Sequence, residues 1–131
     1  MVIGHLGERI PYDIWRLDSR LERLQRHRGV TGKQTIRYYM THNVHITTSG
    51  HFCTNSLKLA VAEMGASRVI FSIDYPCIQY LGSILIVDED FEPGAVWFDG
   101  LTDADVPEKE RVAIARGNAI KLFKLEKTLG V

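Results

Sequence analysis

Arg68-Val69-Ile70-Phe71-Ser72-Ile73-Asp74 is a near-continuous apolar run that ends on a carboxylate and passes at once into Tyr75-Pro76. Such a run, without a regular polar alternation, is what a parallel strand covered on both faces carries, and the proline marks its end. Just ahead of it, Thr54 is placed to cap a helix whose apolar stripe is Leu57, Ala60, Val61 and Met64, closed by Gly65. Ahead of that helix, Val44-His45-Ile46-Thr47-Thr48 is β-branched and lies between Asn43 and Ser49-Gly50, so it reads as a second strand. Strand, helix, strand is a βαβ unit, in which the strands run parallel and the crossover is right-handed.

The same pattern extends toward the amino end. Met1-Val2-Ile3-Gly4-His5 is a short apolar run that stops in polar residues, as the end of a third buried strand would, and more sequence is expected upstream of it. From Pro11 a helix follows, with Ile10, Ile14, Leu17, Leu21 and Leu24 on one stripe and Gly29 and Gly32 punctuating its end. Gln34 to Met40 reads as a shorter second helix. On the carboxyl side, Tyr80 to Val87 reads as a strand and Pro93-Gly94 as a turn. Pro107 opens a helix through Ala115, and Asn118 caps a last one containing Ala119, Ile120, Leu122 and Phe123. The reading is one α/β domain built on a parallel sheet.

Composition narrows the partners. Apolar residues are 45% and charged residues 24% of the 131, the balance of a folded domain rather than a disordered one. Sixteen basic and sixteen acidic side chains cancel, so no overall field gathers nucleic acid or an anionic membrane. The longest apolar run, Ile84-Leu85-Ile86-Val87, is strand length, and a membrane partner is not expected. Cys53 and Cys77 have no metal-ligand spacing and read as free thiols, which suits the cytoplasm.

In βα units the functional groups gather at the carboxyl ends of the strands. Here those ends carry His5 and Glu8, then Ser49 to His51, then Asp74. A carboxylate that ends an apolar strand loses hydration unless a cation or several donors compensate. Asp74 is therefore either a metal ligand or the cap of an Asp-Tyr-Pro turn. His5 and Glu8, three residues apart, can share a pocket and exchange protons; alternatively Glu8 complements a helix dipole and His5 satisfies a local backbone group. His51 is placed to line the mouth, whereas His45 alternates with apolar neighbours and reads as packed. Arg16 stands on the first helix, where it can bind a carboxylate across a subunit boundary or simply face solvent. Trp15, Trp97 and Phe98 read as core or interface residues.

Taken together, Gly4-His5-Leu6-Gly7-Glu8-Arg9-Ile10-Pro11 with Trp15-Arg16, then Ile46-Thr47-Thr48-Ser49-Gly50, then Phe71-Ser72-Ile73-Asp74-Tyr75-Pro76 resemble successive motifs of the dihydroxybenzoate and γ-resorcylate decarboxylases. The closing Gly117-Asn118-Ala119-Ile120-Lys121-Leu122-Phe123 is similar to the carboxy-terminal signature of the wider amidohydrolase-related group. The resemblance covers nearly the whole chain and implies a partial (β/α)8 TIM barrel, its last three βα units (strands six to eight) plus carboxy-terminal helices. It implies that Asp74 binds a divalent metal, zinc, manganese or magnesium, and that His5 and Glu8 are catalytic. It also implies that Arg16 binds substrate and approaches a neighbouring subunit of a homo-oligomer, while His51 is expected to bind substrate from its place at the strand's carboxyl end.

The implied reaction is reversible, non-oxidative loss of carbon dioxide from a hydroxybenzoate, with ring protonation through Asp74. Two departures qualify it. The family's first-strand Glu-x-His ligands and fifth-strand histidine would lie ahead of Met1, and a complete barrel runs to roughly 250 residues, so this chain alone is expected to be inactive. Residues 77–89 stand where the family passes almost directly into a short helix, and read as an insertion. Two other readings stay open: a metal-dependent hydrolase of the same superfamily, and a truncated product without catalysis.

Overall fold

The computed structural model of the chain describes residues 1–74 and 93–130. Three strands, β1 (Val2–Ile3), β2 (His45–Thr47) and β3 (Val69–Ile70), form one sheet in the order β1-β2-β3. Both pairings are parallel: Val2 lies opposite His45 and Ile3 opposite Ile46, and Ile46 lies opposite Val69 and Thr47 opposite Ile70. The sheet agrees with the sequence reading in position and direction, but its regular pairing is shorter than the apolar runs. Beyond Ile70 the backbone donors turn elsewhere. The Phe71 amide donates to the Ile114 carbonyl at 2.9 Å, and the Ser72 amide donates to the Thr48 hydroxyl at 2.9 Å.

Helices α1 (Ile10–Arg28) and α2 (Ile36–Asn43) connect β1 to β2, and α3 (Thr54–Met64) connects β2 to β3. After residue 92 come α4 (Pro93–Asp99), α5 (Glu108–Val112), a π-helical turn at Ala113–Gly117, α6 (Asn118–Phe123) and α7 (Glu126–Leu129). The α1 stripe buries only near its beginning. Ile14 is fully buried, whereas Leu17 and Leu24 are exposed. α1 ends at Gly29 in left-handed backbone (φ 63°), as glycine after a helix allows. α2 begins later than the sequence suggests, because Thr35 caps it by accepting from the Tyr38 amide at 3.0 Å. Asp18 of α1 accepts from the Ile36 amide, placing a carboxylate at the positive end of α2.

Three other expectations are corrected. Cys53, not Thr54, occupies the cap position of α3, and the Thr54 hydroxyl instead accepts from the Trp97 indole N–H at 3.1 Å, tying α3 to α4. Pro93-Gly94 is not a turn: it opens α4, proline being well suited to a first helical turn. Asn118 is not a cap, since its backbone continues the helix. Its side-chain amide reaches back to donate to the Ala66 carbonyl at 2.8 Å and the Val69 carbonyl at 2.7 Å. The expected strand at 80–87 and the insertion at 77–89 lie outside the described residues.

Leu6, Ile14, Ile46, Leu57, Val69 and Ile114 are each at most 1% exposed and anchor one core between the sheet and its helices. Burying such a side chain fully is worth about 1.5–3 kcal/mol. On β2 the alternation is clear: Ile46 is fully buried, while His45 and Thr47 on the other face are half-buried. Among the described residues no helix is long and apolar enough to cross a membrane.

Candidate active site

Directly after β1 the chain turns through four successive residues at positive φ: His5, Leu6, Gly7 and Glu8, with φ of 53°, 52°, 73° and 54°. For an L-residue other than asparagine or aspartate this costs roughly 1–2 kcal/mol. Burial of Leu6, 1% exposed, and two short-range bonds offset it, the Gly7 amide to the Gly4 carbonyl and the Glu8 amide to the His5 carbonyl, both 2.9 Å. Gly7 fits for a second reason, because a Cβ there would stand 3.1 Å from Ile46 Cγ2. The turn folds Glu8 back on His5, with Oε1 3.0 Å from Nδ1.

The other ring nitrogen faces a different strand end. His5 Nε2 lies 3.7 Å from Asp74 Oδ2, an ion-pair separation longer than a hydrogen bond. Asp74 also holds left-handed backbone (φ 64°), which aspartate tolerates better than most residues. Gly50 forms the floor between the two. At φ +63° its missing Cβ would stand 3.0 Å from Asp74 Oδ2 and 3.2 Å from His5 Cδ2, so only glycine leaves them room to approach. His51 Nδ1 is 3.3 Å from the His5 carbonyl. The side chains of His5, Glu8 and Asp74 keep 47%, 67% and 33% of their surface exposed, so the cluster is open to a ligand. An imidazole with a carboxylate at each nitrogen can take a proton on one side and release one on the other.

Among the described residues no group of three His, Cys, Asp or Glu side chains is placed to hold a metal ion. Structural zinc sites use four protein ligands and catalytic ones three. The described residues alone therefore do not fit a resident divalent ion.

His5, Glu8, Asp74 and His51 thus come together, from three strand ends. Arg16 does not join them: it is exposed on α1, outside the cluster. Trp15 is 74% exposed and not a core residue, whereas Phe98 is buried and Trp97 packs on the core. His45 is half-buried on β2, and burial, followed by the nearby Arg68 charge, lowers its pKa from the ordinary 6.5. Cys53 is an exposed free thiol. The sequence places Gly50 at a functional strand end but signals no role for it, and it signals none for Thr48 or Ser72. The signals were faint: two hydroxyls at the ends of apolar runs, and a glycine whose role is a through-space contact.

A family model described as amidohydrolase matches residues 1–125. The gamma-resorcylate decarboxylase of Rhizobium radiobacter is 36% identical over 126 residues, covering 96% of this chain and 34% of that enzyme. The crystal structure of 2,6-dihydroxybenzoate decarboxylase from Rhizobium superposes with a TM-score of 0.76 at 36% identity, over 95% of this chain and 34% of that one. A dihydroxybenzoic acid decarboxylase from Polaromonas sp. JS666, crystallised with manganese and the inhibitor 2-nitroresorcinol, superposes with a TM-score of 0.73 at 35% identity, over 95% and 33%. The chain spans about a third of the length of the curated relatives it matches. Since the family match takes in all three strands, the turn after β1 and every member of the cluster between them, the chain belongs to the amidohydrolase family.

Proposed function

We propose that this chain forms part of the active site of a non-oxidative decarboxylase that releases carbon dioxide from a dihydroxybenzoate-type acid. The observation that carries the reading is the convergence of His5, Glu8 and Asp74 past the carboxyl ends of the two outer strands of the parallel sheet, on either side of β2, in a chain whose relatives at 35–36% identity are decarboxylases of such acids. In this reading β1, β2 and β3 are the sixth, seventh and eighth strands of an eight-stranded barrel, and the half-buried face bearing His45 and Thr47 looks into it.

Decarboxylation of an electron-rich ring needs a proton delivered to the carbon that bears the carboxylate. The carbon–carbon bond then breaks, its electron pair restores aromaticity, and carbon dioxide leaves. Asp74 is assigned the delivery. His5, whose Nε2 faces Asp74, returns the proton to it. Glu8 fixes the imidazole through Nδ1 and, with it, takes the ring hydroxyl of the substrate. His51 lines the same mouth, and Arg16 is assigned to the carboxylate of a substrate held by a neighbouring copy in a homo-oligomer. Because the described residues do not make a metal set, no step is assigned to a metal. Asp74 offers one carboxylate to a zinc, manganese or magnesium ion whose other ligands lie outside them.

The test is a chimera in which residues 1–125 replace the matching third of the Rhizobium radiobacter enzyme. Carbon dioxide release from 2,6-dihydroxybenzoate is the expected outcome. A folded chimera that binds metal as the parent does and releases none would count against the assignment.

A further inference from the structure

Asp74 sits four residues past Ile70, where the ladder of β3 ends, and holds a positive φ. Something other than the sheet ladder has to hold it against His5. Thr48 is the one buried polar side chain among the described residues, fully excluded from solvent. Its hydroxyl donates to the Ser72 carbonyl at 2.6 Å and accepts from the Ser72 amide at 2.9 Å. One side chain thus takes both backbone groups of Ser72 and continues the β2–β3 pairing for a further rung after the ladder proper has stopped.

The remaining groups of Thr48 are also engaged. Its amide donates to the Ile70 carbonyl at 3.1 Å, and its carbonyl accepts from the His51 amide at 2.8 Å. The residue therefore joins the end of β3 to the turn that carries Gly50 and His51. A second hydroxyl line runs beside it, Thr47 Oγ1 to Ser49 Oγ at 2.8 Å and Ser49 Oγ to Ser72 Oγ at 3.1 Å. Ser72 is held from both its backbone and its side chain, and Asp74 follows after only Ile73.

We propose that Thr48 is the positioning residue that fixes Asp74 beside His5. It touches neither substrate nor reacting atoms and acts through Ser72. The catalytic consequence rests on the function proposed above, whereas the geometric claim stands without it. Thr48→Val nearly preserves shape but leaves the half-buried Ser72 amide and carbonyl without that partner, while Thr48→Ser keeps the hydroxyl.

Nuclear magnetic resonance on the 131-residue chain reads this directly. Gly50 lies between the two side chains, its Cβ position 3.2 Å from His5 Cδ2 and 3.0 Å from Asp74 Oδ2, so cross-relaxation of its α-proton with the His5 ring proton and with the Asp74 β-protons reports the closed arrangement. In Thr48→Val the Gly50–Asp74 cross-peak is expected to vanish and the Ser72 amide to exchange about ten-fold faster or more, with cross-peaks among Ile46, Leu57 and Ile114 kept. Thr48→Ser should retain all of them. A merely structural role would lower the urea midpoint of Thr48→Val but leave the Gly50–Asp74 cross-peak, and that result overturns the proposal. Should Thr48→Val not fold, the unmodified chain decides. A Ser72 amide protected from exchange supports the assignment, and one exchanging as freely as unstructured chain overturns it. Neither outcome depends on whether the site decarboxylates anything.

Discussion

Three non-glycine residues after β1, and Asp74 after β3, hold positive φ, and strain of that kind collects where surrounding structure over-determines it. His5 and Asp74 were readable because each closes an apolar run, and Glu8 because three residues bring it back to His5. Gly50 was not, since its importance lies in what a Cβ would strike. Gly50→Ala is expected to push Asp74 from His5, to cost roughly 1–2 kcal/mol through its backbone, and to lower turnover of the chimera at least about ten-fold. Urea denaturation and a carbon dioxide assay measure the two effects separately. His45 supplies a pH test. Its folded pKa lies below the ordinary 6.5, chiefly through burial, so above that value neither folded nor unfolded chain holds the proton. As pH falls below it the unfolded chain binds more protons, and stability drops until the folded value is passed. Urea midpoints between about pH 7.5 and about pH 5 should fall for the natural chain and fall less for His45→Asn; equal slopes would remove His45 from the account.

The elements show where patterns of spacing stop being informative. β1, β2, β3 and α3 could be read because periodicity and β-branching act locally. The stripe on α1 misled beyond Ile14, because exposure of Leu17 and Leu24 depends on what the fold brings near them. Capping was misread for the same reason: Thr54 and Asn118 have side chains that suit a helix start, yet both are used across the fold. Asn118 matters more. The Ile114 carbonyl, in the π-helical turn just before it, takes the Phe71 amide, and the Asn118 amide group takes two more carbonyls around β3. Asn118→Ala leaves both without that donor and is expected to destabilise the chain by about 1–3 kcal/mol, measured as a shift in urea midpoint without change in its slope. A loss under about 0.5 kcal/mol would mean the clasp is ornamental to stability.

In the whole molecule, β1 and β3 are each paired on one side only among the described residues, and an apolar strand with an open edge invites another chain. The chain is accordingly expected to associate as its concentration rises in sedimentation velocity, and a compact monomer throughout would contradict this. That three separated stretches meet in the candidate cluster was visible in the order of their motifs, whereas the approach of His5 to both carboxylates needed the folded turn. The most direct test separates Asp74 from Glu8 in the chimera with the Rhizobium radiobacter enzyme, by measuring carbon dioxide release from 2,6-dihydroxybenzoate beside metal content. Asp74→Asn removes an acid proton and an anionic ligand while keeping size, so release should be lost and bound metal should fall. Glu8→Gln should slow release with metal unchanged. Normal release by Asp74→Asn would contradict the account.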